Sequence, residues 1–121
     1  MPLLRAAGAA VIVNISSIAA VTGMGSNIAY CASKAAVDNL TISLARAFSP
    51  TIRVVSVSPG LVATEFVKGL DEKWRELQAG RTPLGRLAEP REVAAAVLSA
   101  AEHFTFTTGA ILPVDGGRKI F

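Results

Sequence analysis

Residues 9–16 read AAVIVNIS and residues 51–58 read TIRVVSVS. Both runs are rich in β-branched residues, and the first shows no alternation of apolar and polar side chains. Such runs belong to strands covered on both faces, as in a parallel sheet. Between them, Ile28 to Phe48 is Ala-rich, holds neither Gly nor Pro, and stops short of Pro50. That stretch predicts one long helix, with Ser26 and Asn27 as candidate caps. Strand, helix and strand in this order form a right-handed crossover unit.

Outward from this unit, residues 2–8, PLLRAAG, read as the tail of a helix closed by Gly8. Pro59-Gly60 ends the second strand. Residues 61–88 hold no strand pattern. Within them Phe66, Leu70, Trp74 and Leu77 recur at helical spacing, which predicts one short amphipathic helix flanked by Gly69 and Gly80. Pro90 sits at a first helical position and opens a helix to about Glu102. GAILPVDGG, residues 109–117, is a third short strand. The order β-α-β-excursion-α-β places the chain in the α/β class. The first strand is as apolar as a central one, so it expects a neighbour on its outer side, whereas edge strands are usually blunted by charge or Pro. No helix start signal precedes PLLRAAG. The expectation is therefore that residues 1–121 form one partial domain whose preceding part is missing.

Twelve Lys and Arg against nine Asp and Glu leave a net charge of +3 on 121 residues. A chain of that size builds one core. With 51% apolar and 17% charged residues, it carries too much apolar surface to stay disordered. The basic residues are scattered until Arg118-Lys119, with no stripe interleaved with aromatics, so nucleic acid is not an expected partner. The apolar run Ala9–Val13 is broken by Asn14, Ser16 and Ser17, far short of the roughly 20 residues of a membrane span. It is also followed by polar residues where a signal peptide would be cleaved. The single Cys31 suits a reducing compartment, which points to the cytoplasm. His103 is solitary, and no metal site is expected.

Tyr30 and Lys34 lie four apart on the predicted helix and hence on one face. Ser17 ends the first strand, 13 residues before Tyr30, and Pro59-Gly60 ends the second. In open α/β sheets the crevice beyond the strand carboxyl ends is where ligands bind. A free phenol has a pKa near 10 and is a poor base at neutral pH. An ammonium about 6 Å away favours phenolate by roughly 2.8 kcal/mol at an effective dielectric near 20. A phenol so placed can exchange a proton with an alcohol or carbonyl while a Ser hydroxyl bonds the same oxygen. Such chemistry needs a hydride carrier that no side chain supplies. Taken singly, each feature has a plainer reading: Tyr-x-x-x-Lys occurs by chance, a strand-end Ser satisfies backbone, and Pro-Gly makes a turn. Their joint spacing carries the weight. TGMGSNIAY offers Gly23-x-Gly25 before a helix, but a phosphate loop follows its strand directly and carries a third glycine where Ile28 stands. It reads as flanking the substrate. Cys31 reads as a packing residue.

IVNISS, the gap of 13, YCASKAAVDNLT, IRVVSVSPGLVATEF, PLGRLAEPREVA and TGAILPVDGG together resemble the short-chain dehydrogenase/reductase family, over essentially the whole chain. The resemblance implies the C-terminal half of a doubly wound Rossmann-type parallel sheet, here three strands plus helices. It also implies an NAD- or NADP-dependent oxidoreductase acting on a small secondary alcohol or ketone, paired as a homo-oligomer through the helix 28–48. By that likeness Ser17 orients the substrate oxygen, Tyr30 is the acid/base, and Lys34 holds the nicotinamide ribose and favours the Tyr30 phenolate. Pro59, Gly60 and Val62 would line the nicotinamide pocket through their backbones. Thr64 would bond the carboxamide or phosphate, and residues 65–85 would form the substrate lid. Family members run to about twice this length. Their Gly-rich turn, the charge that selects NAD over NADP, the Asn-Asn-Ala-Gly strand and a fourth catalytic residue, an Asn, fall outside this sequence. The alternative expectation is a half-domain that binds no cofactor alone or acts only when assembled with a partner.

Overall fold

The computed structural model describes residues 1–120. Three parallel strands, β1 (Ala10–Ile15), β2 (Ile52–Pro59) and β3 (Ile111–Val114), lie in the order β1-β2-β3. β1 pairs β2 from Ala10 opposite Ile52 to Ile15 opposite Val57, and β2 pairs β3 from Ser56 opposite Ile111 to Pro59 opposite Val114. β2 is thus central, and its apolar run becomes the core. Ile52, Val54, Val55 and Val57 are all at most 1% exposed. This partial Rossmann-type α/β layer is the expected architecture.

β1 departs from the expectation of two covered faces. Only Ala10 is buried, Val11 to Asn14 are half-buried and Ile15 is exposed. Among the described residues β1 has a partner on one side only, so its apolar character is not matched by burial.

A short helix α1 (Pro2–Ala6) leads into β1. The crossover from β1 to β2 holds α2 (Ala19–Thr22), a single turn that the sequence reading did not anticipate, ended by Gly23 in the left-handed region at φ 67°. Next comes α3 (Ile28–Phe48), whose bounds match the Gly- and Pro-free run. Asn27 caps it, its side chain accepting from the Tyr30 N–H at 2.8 Å. Two further bonds lock α3 to β1 and the residue that follows it. Asn14 donates to the Thr41 hydroxyl at 2.9 Å, and the Ser16 hydroxyl donates to the Lys34 carbonyl at 3.3 Å.

The excursion differs from the single helix expected there. It forms α4 (Glu65–Lys68) and α5 (Glu72–Gly80). Gly69 ends the first, and Asp71 starts the second by accepting from the Trp74 N–H at 2.9 Å, an N-cap that outweighs continuation of the apolar spacing. Val62 and Ala88 close the base of the excursion through one isolated parallel bridge. Pro90 opens α6 (Pro90–Glu102) as expected. Its C-terminus is tied to the core by Arg53, whose guanidinium donates to the carbonyls of Ala100 at 3.0 Å, Ala101 at 2.8 Å and Phe104 at 3.0 Å. A cation there satisfies otherwise orphaned carbonyls and complements the helix dipole. A one-turn 3-10 helix spans Arg118–Ile120. Among the described residues no helix is long and apolar enough to cross a membrane.

Candidate active site

The parallel register places the carboxyl ends of all three strands on one rim, where Ser17, Gly60 and Asp115 emerge. Successive backbone bonds knit this rim together. The Ser16 N–H donates to Val57 O at 2.8 Å, the Ile18 N–H to Pro59 O at 3.0 Å, and the Gly60 N–H to Val114 O at 3.0 Å. Gly60 is required by close approach: a Cβ there would lie 3.0 Å from the Asp115 Cα.

A cleft of about 670 Å³ opens on this rim. Ser17, Tyr30 and Gly60 all border it, together with Phe66, Leu70 and Trp74 from the excursion. The structure thus brings Ser17 and Tyr30 to one cavity. The Ser17 Oγ accepts from the Ala19 N–H at 3.2 Å, which leaves its own proton available to donate. Tyr30 is 37% exposed, and the Lys34 ammonium sits 5.7 Å from the centre of its ring. That is within cation–π range. Lys34 does not turn to solvent: its Nζ donates to the Ile15 carbonyl at 3.0 Å at the end of β1, a bond that fixes the ammonium beside the phenol. Two of its three N–H groups remain for a ligand.

Lys34, Pro59, Val62 and Thr64 are not on the cleft wall itself. Pro59 contributes backbone through its bond to Ile18. The Val62 N–H has no acceptor among the described residues, while its carbonyl accepts from the Thr64 N–H at 2.8 Å. The Thr64 hydroxyl caps α4 by accepting from the Val67 N–H at 3.3 Å and keeps its proton free. The Lys34 ammonium, the Val62 N–H and the Thr64 hydroxyl thus keep donor capacity that no described residue uses.

Some cleft residues were not singled out in the sequence. Gly25 was read only as flanking the substrate. A Cβ there would meet Tyr30 Cδ1 at 2.8 Å and Cys31 Sγ at 2.9 Å. This glycine is therefore the floor on which the phenol ring rests. Arg81, Arg118 and Gln78 also line the cleft. Arg118 carried a usable signal, since it follows the third strand's carboxyl end and so belongs to the ligand rim. Arg81 carried none, because its placement depends on how the excursion folds back.

The family model described as enoyl-(acyl carrier protein) reductase matches residues 1–119. A cis-4-hydroxycyclohexanecarboxylate dehydrogenase from Sinomonas cyclohexanicum is 46% identical over 94% of this chain and 47% of its own. The short-chain dehydrogenase/reductase homolog YusR from Bacillus subtilis is 41% identical over 99% of this chain and 92% of its own. The solved aldohexose dehydrogenase of Thermoplasma acidophilum superposes with a TM-score of 0.92 at 35% identity, covering 99% of this chain and 52% of that one. The chain thus spans about half the length of the first and third of these proteins and nearly all of the second. The matches in sequence and in fold each span almost the whole chain, and the chain belongs to the short-chain dehydrogenase/reductase family of oxidoreductases.

Proposed function

We propose that residues 1–121 supply the catalytic half of an NAD- or NADP-dependent oxidoreductase that interconverts a small secondary alcohol and its ketone. The observation that carries this reading is the Lys34 ammonium 5.7 Å from the Tyr30 ring, on a rim where Ser17 and Tyr30 share one cleft. When bound, the nicotinamide supplies the chemistry of accepting or returning a hydride at the substrate carbon. Tyr30 Oη takes the proton from the alcohol in one direction and returns it to the ketone oxygen in the other. The Ile15 carbonyl holds the Lys34 ammonium beside the Tyr30 ring, and the remaining N–H groups of that ammonium would bond the ribose of the nicotinamide. The Ser17 hydroxyl donates to the same substrate oxygen and orients it. Pro59, Gly60 and Val62 shape the nicotinamide side through backbone, and Thr64 donates to the carboxamide or phosphate. Phe66, Leu70 and Trp74 cover the substrate. The Sinomonas relative, whose name describes a ring alcohol, supports a secondary alcohol as substrate class.

Replacement of Tyr30 by Phe tests the assignment. In a full-length version, turnover should fall by roughly a thousandfold, the scale of a lost acid/base, while NAD(P)H affinity measured by fluorescence titration changes little. Retained turnover removes Tyr30 from its role. A second reading is favoured by the outer edge of β1, which has no partner among the described residues. On this reading the polypeptide 1–121 taken alone binds NAD(P)H weakly and acts only when a further strand pairs with that edge. Micromolar binding to the isolated polypeptide would refute it. We further propose a cytoplasmic protein that pairs as a homo-oligomer through α3, on the face that exposes Ile28 and Ile42.

A further inference from the structure

Arg81 and Arg118 both line the cleft that holds Ser17 and Tyr30, and both also line an adjoining concavity of about 500 Å³ that the latter two do not reach. The arginines therefore stand at the junction of the two spaces. Arg118 is held rigidly. Its Nη1 donates to the Gln78 carbonyl at 2.7 Å and to the Thr82 hydroxyl at 3.2 Å, and its Nη2 donates to Gln78 Oε1. All three acceptors are neutral. Two of its five N–H groups stay unengaged among the described residues.

Its charge has no ion-pair partner among the described residues either. Asp115, three residues earlier, uses both carboxylate oxygens on the backbone N–H groups of Gly117 at 2.9 Å and Lys119 at 3.0 Å. Neither arginine forms an ion pair among the described residues, whereas Lys68 and Arg86 do. Burial and then the like charge of Arg81 both push the Arg118 guanidinium down from its ordinary range, though an arginine stays cationic at any working pH. Two arginines that line the same cleft and form no ion pair among the described residues are in place for an anion. Phe66, Leu70 and Trp74 on the same wall offer an apolar body something to rest on.

We propose that the substrate carries a carboxylate on an apolar body, bound by Arg81 and Arg118 while its alcohol or ketone oxygen lies between Ser17 and Tyr30. The planar fork of a guanidinium matches a carboxylate edge, and charge-assisted bonds of this kind are the strong ones. The proposal rests on the dehydrogenase reading for the second half of that sentence only; recognition of the acid stands without it. A purely structural Arg118, serving to strap the C-terminal turn to α5, would not need Arg81 beside it.

Trp74, the single tryptophan of the chain, borders the cleft and reports on binding. Hexanoate and its neutral amide, hexanamide, are titrated into the protein while tryptophan quenching is followed. Hexanoate should bind roughly tenfold more tightly or better, the scale of one charge-assisted pair. Added NaCl should erode that advantage, and Arg81→Gln should abolish it. Arg81 makes no side-chain hydrogen bond among the described residues, so this variant tests recognition without loosening the fold. Equal binding of acid and amide, or binding of neither, overturns the proposal. Kinetics separate the two readings. Turnover of 5-hydroxyhexanoate and 5-hydroxyhexanamide with equal kcat/KM sinks the carboxylate and leaves the dehydrogenase standing. Selective binding of the acid by the chain, with no nicotinamide reduction once it is assembled with a cofactor-binding half, supports the arginine site and sinks the hydride-transfer reading.

Discussion

The rim built by β1, α3 and β2 and the excursion between residues 61 and 88 face each other across one cleft, yet they are made differently. On the rim, each candidate catalytic side chain is held by backbone that is itself held. Lys34 is anchored on Ile15, Asn27 caps the turn that presents Tyr30, and β2 beneath them is almost wholly buried. Across the cleft, Phe66 is 78% exposed and Leu77 52%, and the excursion is tied to the rest of the molecule at a few points: the Val62–Ala88 bridge, the bond from the Leu84 N–H to the Gly116 carbonyl at 3.1 Å, and the Arg118 bonds to Gln78 and Thr82. Proton transfer demands fixed distances, so its groups sit on rigid elements. Substrate coverage tolerates motion, so it falls to side chains such as Phe66 that stand exposed on short helices outside the sheet.

This contrast can be broken most forcefully in the core. Ile52→Ala, at a site 1% exposed, should cost about 2–5 kcal/mol of stability. Phe66→Ala on the excursion should stay within about 0.5 kcal/mol. Urea unfolding of the two variants measures both, and similar losses would mean that the excursion is as much part of the core as β2.

Gly25→Ala comes next. Its Cβ would crowd Tyr30 Cδ1 and Cys31 Sγ, so the ring must shift. A displacement near 1 Å is enough to lower kcat by about a hundredfold. Circular dichroism and melting temperature should be almost unaltered, and an unchanged kcat would show that the ring has room to give.

A smaller effect is expected on the opposite wall. Trp74→Ala should raise KM by about tenfold, the scale of lost apolar contact in a pocket, with kcat less affected. A drop in kcat alone would instead assign Trp74 to the chemistry.

The least effect concerns Glu92 at the start of α6. Its carboxylate pairs with Arg86 and accepts from the Glu89 N–H at 2.8 Å. Bonding to Arg86 first, and to that N–H second, holds it down at about 2 from an ordinary value of 4.5. A carboxyl lowered on folding stabilises above its unfolded value and loses that contribution as pH falls through the folded one. The pair is exposed, so the gain is small and salt-screened. Glu92→Gln should therefore melt slightly below the parent above pH 4.5, with the gap closing as pH approaches 2. A gap that persists at pH 2 would trace the difference to something other than the charge.

Much of this was legible along the chain. The Gly- and Pro-free run from Ile28 to Phe48 delimits α3, because nothing inside it breaks a helix and Asn27 caps it. The β-branched run before Pro59 marks the central strand. The four-residue step from Tyr30 to Lys34 puts both on one face at a strand's carboxyl end. What stayed hidden depended on competition between local and distant bonds. The spacing of Phe66, Leu70, Trp74 and Leu77 suggests one helix, but Gly69 and the Asp71 cap divide it. The run AAVIVNIS suggests full coverage, but burial of β1 is set by its neighbours in the sheet, and composition does not count neighbours.

By itself, then, the chain's order of residues determined the element types, the parallel sheet and the pairing of phenol with ammonium, since these follow from spacings of a few residues. Only the tertiary structure decided that Gly25 supports the Tyr30 ring and that Arg81 and Arg118 meet at the cleft. Those contacts join residues brought close by the packing of the excursion against the sheet, and no local periodicity encodes where a loop comes to rest.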